Sequence, residues 1–148
     1  MIKHGDVPVT EVMLHTLAVP TGWYKRRDAE VMMREVRVWH KQRGWKKEGY
    51  HRLFDPKGKM AIGRSLYEVG AGCRGHNTGV IHIALCNTVA IEKMGKFDDF
   101  YTKAQCVALR DYLLELEELH GAPLKVTGHN DYAPKLCPGF KVVQDEWL

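Results

Sequence analysis

With 148 residues, 45% of them hydrophobic and 27% charged, the chain has the size and composition of one domain that can bury a core without disulfides. No apolar run approaches the roughly 18 residues that a membrane span needs, so no membrane insertion is expected. The formal charge of +4 mildly favours anionic partners, but apart from Lys25-Arg26-Arg27 and Lys46-Lys47 the basic residues are dispersed, which does not favour nucleic acid.

Four cysteines, Cys73, Cys86, Cys106 and Cys137, form no C-x-x-C pair, so a four-cysteine structural zinc site is not expected. The opening Met-Ile-Lys-His-Gly-Asp lacks the basic start and apolar run of a signal peptide. The expectation is a cytoplasmic location in the producing cell, with free thiols.

In chain order, Glu11 to Ala18 holds the apolar run Val12-Met13-Leu14 followed by His15. It reads as a strand buried on both faces, and the end of such a strand is where α/β proteins place chemistry. His15 reads equally well as a core histidine hydrogen-bonded to a neighbour. Asp28 is the predicted N-cap of a helix running to about Arg43, with Met32, Val36 and Trp39 facing the core and Gly44 ending it. His40 is expected to be half exposed. Tyr50 to Asp55 alternates as a strand, Pro56 to Lys59 makes a turn, and Met60 to Arg64 returns as its hairpin partner. Alternation puts Tyr50 and His51 on opposite faces.

Leu66 to Gly79 is glycine-rich but too irregular for a phosphate-binding fingerprint, and reads as a surface loop shaping a cleft. Val80 to Leu85 is apolar almost throughout and therefore a central strand, with His82 on the face of Val80 and Ala84. Thr102-Lys103-Ala104-Gln105 is a capping box opening the longest helix, whose Cys106, Leu109, Leu113, Leu116 and His120 keep helical spacing up to Gly121. Leu124 to Thr127 is a short strand that delivers His129, and a short terminal segment follows Phe140. These elements predict an α/β fold in one domain spanning 1–148, with a central mixed β-sheet flanked by helices.

The closing loop, Gly128 to Phe140, carries His129 and Cys137, both good zinc ligands, with Pro134 and Pro138 ordering the chain and Lys135 placing a positive charge nearby. A His and a Cys this far apart also occur with no metal, and a free Cys is commonly a small buried hydrophobe.

Three stretches in register sharpen this: Met13-Leu14-His15; Arg34 to Lys41 with Gly44-Trp45 and Gly49-Tyr50-His51; and Gly128-His129 with Ala133-Pro134-Lys135-Leu136-Cys137-Pro138. Together they resemble the zinc-dependent N-acetylmuramoyl-L-alanine amidases of the phage lysozyme type, a family that includes the peptidoglycan recognition proteins. The resemblance implies one Zn2+ per chain held by His15, His129 and Cys137, in a surface cleft at one edge of the sheet, with Tyr50 and Lys135 as catalytic residues. Tyr50 is expected on the strand next in order to the one carrying His15.

The implied reaction is hydrolysis of the amide bond between N-acetylmuramic acid and L-alanine in bacterial peptidoglycan by zinc-activated water. A monomeric phage or prophage endolysin, reaching the wall after the membrane opens, fits that reading. The sequence departs from the family where a histidine is replaced by Gly72 and a glycine by His82. Gly72, Asn77 and His82 are therefore the candidate substrate contacts on that side. His82 reads either as reaching into the cleft in place of the missing side chain or as a satisfied strand histidine. Two further readings are a non-catalytic peptidoglycan-binding module of the same fold and a regulatory protein that binds a macromolecule through its basic surface.

Overall fold

In the computed structural model, which describes residues 1–148, the elements run β1 (Lys3–His4), β2 (Val7–Pro8), β3 (Glu11–Thr16), α1 (Ala29–Gln42), β4 (Arg52–Phe54), β5 (Met60–Ile62), β6 (Val80–Leu85), α2 (Phe97–Phe100), α3 (Lys103–His120) and β7 (Lys125–Gly128). Two 3-10 turns follow, His129–Asp131 and Gln144–Glu146. β1 and β2 form a small antiparallel ribbon, and the other five strands form one sheet in the order β5-β4-β6-β3-β7. β3 lies parallel to both neighbours, β4 is parallel to β6, and only β5 runs against its partner, so the sheet is mixed, as expected.

β3 and β6 are buried at every position, which is why they read as continuous apolar runs and not as alternation. On one face Val12, Leu14, Ile81, Ile83, Leu85 and Val126 pack against Leu109, Leu113 and Leu116 of α3. On the other, Leu53, Ala61 and Ala84 pack against Met32, Met33 and Val36 of α1. α1 lies over the β4 and β5 side of that face, so the β3 and β7 side is left to loops. That uncovered corner is where the cleft forms.

The helix ends follow their sequence signals. Asp28 accepts from the Val31 amide at 2.9 Å, and Gly44 leaves α1 at φ +86. Thr102 and Gln105 make the expected capping box, and the buried Gln105 amide also donates to Phe54 O and Cys86 O, tying α3 to the sheet.

Several expectations are corrected. β4 begins at Arg52, with a bend at His51, so the alternation fails and Tyr50 and His51 both lie on the histidine face of the sheet, Tyr50 against His15 and His51 against His82. Tyr50 lies two residues before β4, the next strand in chain order after β3, although β6 stands between those two strands in the sheet. His40 is buried, because it falls four residues after Val36 on the inward stripe of α1. β3 stops at Thr16, and Ala18 beyond it adopts φ +56. The segment after Phe140 is part of the core, with Val142 and Trp147 buried against it.

Candidate active site

Leu14 of β3 pairs in register with Gly128 of β7, so His15 and His129 are the next residues along two parallel neighbours. Both side chains therefore emerge at the carboxyl ends of adjacent strands, where open α/β sheets place their ligands. Their rings stand 4.9 Å apart between centroids. Cys137 returns to the same point from the closing loop, its Sγ 3.7 Å from His15 Nδ1, and the donor atoms of all three residues lie within 4.8 Å of one another. A tetrahedral zinc with ordinary bond lengths would separate a nitrogen and a sulfur ligand by about 3.5 Å, so this donor set fits such an ion.

The loop is held from several sides. The Thr16 amide at the end of β3 donates to Cys137 Sγ at 3.3 Å, and the Asn130 amide donates to Cys137 O at 2.8 Å. The Asn130 side chain donates to Leu136 O and Phe140 O, and the buried Tyr101 hydroxyl donates to Pro138 O at 2.7 Å. On the other rim, the buried amide of Asn87 fixes the turn after β3. Its Oδ1 accepts from Thr16 Oγ1 and the Val19 amide, while its Nδ2 donates to Val19 O and Val89 O.

Burial, with the neighbouring His82, His129 and Lys135, holds His15 well below the usual imidazole range, and burial with Lys135 lowers His129. Both are neutral imidazoles near pH 7, with lone pairs available to a cation. Burial pushes the Cys137 thiol up to about 11, against the opposing pull of the Thr16 amide and Lys135. A cation bound here would displace that thiol proton.

The cleft above these donors has a volume of about 570 Å³ and is walled by Tyr50, Gly72, Asn77 and Lys135, with Arg43, Trp45 and Arg74 among the other lining residues. The Tyr50 ring lies 5.3 Å from His15 and 5.2 Å from His40, and burial raises its phenol, which therefore stays protonated. His40 backs Tyr50, packs on Trp45 at 4.4 Å and accepts from the Gly49 amide. Lys135 is exposed on the loop. His82 is not on the cleft wall. It is fully buried one layer beneath, its ring against His15, so it does not reach into the cleft in place of another side chain.

His40, Asn87 and Tyr101 were not expected from the sequence to support this site. The inward spacing after Val36 could have found His40. Nothing local marks the other two, because Asn87 bonds Val19 across 68 residues and Tyr101 bonds Pro138 across 37.

The sequence profile of the N-acetylmuramoyl-L-alanine amidase family matches residues 5–140. The endolysin of Escherichia phage T7 is 39% identical over 111 residues, 74% of this chain and 71% of that protein, and the endolysin of Enterobacteria phage T3 is equally similar over the same shares. Among solved structures, the amidase LysC of Clostridium intestinale URNW superposes with a TM-score of 0.69 at 24% identity, covering 94% of this chain and 81% of that one. Drosophila PGRP-LB gives 0.76 at 22% identity, covering 94% and 79%; likeness at these identities speaks to the fold. With a family match across nearly its whole length and endolysin relatives at this identity, the chain belongs to the N-acetylmuramoyl-L-alanine amidase family.

Proposed function

We propose that this chain hydrolyses the amide bond between N-acetylmuramic acid and L-alanine of bacterial peptidoglycan, as a phage or prophage endolysin using one zinc ion held by His15, His129 and Cys137. The observation that carries the reading is the convergence of two neutral imidazoles and one thiol on the floor of an open cleft. Three protein ligands leave a fourth position open, the pattern of catalytic and not structural zinc sites. When bound, zinc supplies an acidified water and polarises the scissile carbonyl.

The chain's own residues do the rest. Lys135 lines the cleft, and its positive charge would stabilise the negative charge that the carbonyl oxygen gains. Tyr50, kept protonated by burial, can donate a hydrogen bond into the cleft, and its hydroxyl can steer to the departing alanine amine the proton that the attacking water gives up, ending the step protonated as it began. Arg43, Arg74 and Trp45 give the rim the cationic and aromatic character suited to an anionic, sugar-bearing peptide. The enzyme reaches the wall once the membrane has been opened.

The test is mass analysis of wall digests with and without a chelator. New L-alanine amines that vanish with chelator, and in Cys137→Ala, are expected. New reducing sugar ends would replace the amidase reading with a glycosidase, and retention on the wall without any release would replace it with a binding module.

A further inference from the structure

Beneath the cleft, Asn77 Oδ1 is met by three groups: the amides of Gly72 and Cys73, each at 3.0 Å, and His82 Nε2 at 2.9 Å. Backbone amides can only donate, so this atom is an acceptor, and His82 Nε2 must carry a proton to join them. His82 is fully buried and its ring nitrogens meet only Asn77 and His15, with no carboxylate to balance a charge, so the ring is neutral and Nδ1 is a bare acceptor. That Nδ1 lies 2.8 Å from His15 Nε2. His15 must therefore donate from Nε2, which leaves His15 Nδ1 unprotonated on the side facing Cys137 Sγ. The chain of donors has one consistent direction.

The ring of His82 is itself fixed. His51 stacks on it with centroids 6.0 Å apart, and the His82 amide donates to His51 Nδ1 at 2.9 Å. The space around it exists only because residues 70 and 72 are glycine. A methyl group at residue 72 would stand 2.4 Å from His82 Nδ1, and one at residue 70 would stand 2.8 Å from His82 Cδ2.

We propose that His82 is a positioning residue for the metal site, holding His15 in the Nε2-protonated tautomer that offers Nδ1 to the ion, and that Gly72 is required by the volume of His82. The inference rests on the reading that the site binds zinc. Partners that hold a ligating histidine through its other nitrogen are commonly a carboxylate, a carbonyl or water. Here a neutral imidazole does that work, relayed to Asn77, with no added charge beside the ion.

The test reads zinc affinity by chelator competition and imidazole tautomers by nitrogen NMR. His82→Leu should weaken zinc binding about 10- to 100-fold, the usual cost of removing such a partner, whereas His82→Asn, which keeps an acceptor near the Nδ1 position, should recover most of it. Gly72→Ala should lose affinity in the wild-type background and cost nothing further in His82→Gly, where the ring it strikes is gone. Wild-type affinity in His82→Leu, or an equal Gly72→Ala loss in both backgrounds, would overturn the proposal.

His15 should be protonated at Nε2 in the metal-free and zinc-loaded wild-type chain alike. A proton on Nδ1 overturns the assignment even if every variant fails to fold. A wild-type chain that takes up no zinc would instead overturn the amidase reading, with the tautomer still measurable.

Discussion

Tyr101→Phe removes one oxygen from the wall behind the Cys137 loop and leaves the rest of the packing in place. The ring is 4% exposed and keeps its aromatic neighbours Phe97 and Phe140, with centroids at 5.1 and 5.8 Å. What is lost is the 2.7 Å hydrogen bond to Pro138 O, leaving a buried carbonyl without that donor. Such a loss costs about 1–3 kcal/mol. In a domain of this size each kcal/mol lowers Tm by roughly 2–4 °C, so a drop of about 2–12 °C is expected.

Because Pro138 follows Cys137 directly, a loop loosened in the metal-free variant must be re-ordered for the proposed zinc site to form. Every ~1.4 kcal/mol of that cost appears as a tenfold weaker Kd, so affinity should fall between a few-fold and about a hundredfold. Urea denaturation of the metal-free protein and chelator competition on the zinc-loaded protein measure the two effects. A variant with wild-type stability and wild-type zinc affinity would refute the idea that this hydroxyl anchors the ligand loop.

Two further outcomes follow from the same geometry. Lys135→Ala should reduce turnover by about 10²-fold or more, as loss of an oxyanion-stabilising group does, while leaving zinc affinity nearly unchanged; comparable losses in both would make Lys135 structural. His40 and His51 are buried and held down to about 4, against 6.5 when unfolded. Between those values the unfolded chain takes up protons that the folded chain refuses, so their contribution to stability is lost as pH falls from about 6.5 toward 4 and is constant above 7. Each contributes at most roughly 1.4 kcal/mol per pH unit, or about 4 kcal/mol for the pair at pH 5. Urea titrations of metal-free protein at pH 7 and pH 5 should show that decline, and equal stability at both would contradict it.

The strands and helices were legible because their signals are local. β3 and β6 are apolar at nearly every position, α3 opens on a capping box and closes on Gly121, and α1 starts at Asp28 and stops before Gly44. The strand at Tyr50 was misread because a bend at His51 breaks the two-residue period, and no residue type there announces it.

The fold class, the family and the candidate trio His15, His129 and Cys137 can be read from short motifs in order along the chain. Which groups stand behind that trio is set by the fold. The pairing of Leu14 with Gly128 brings His15 and His129 to one level, Tyr101 reaches Pro138 from another element, and His82 turns from the cleft to His15. Each of these depends on strand register or on a contact between distant segments, and a side chain's partner across such a distance leaves no trace in its neighbours along the chain. Gly72 shows the limit most plainly: in the sequence it is a glycine in a glycine-rich loop, and in the fold it is the space that His82 occupies.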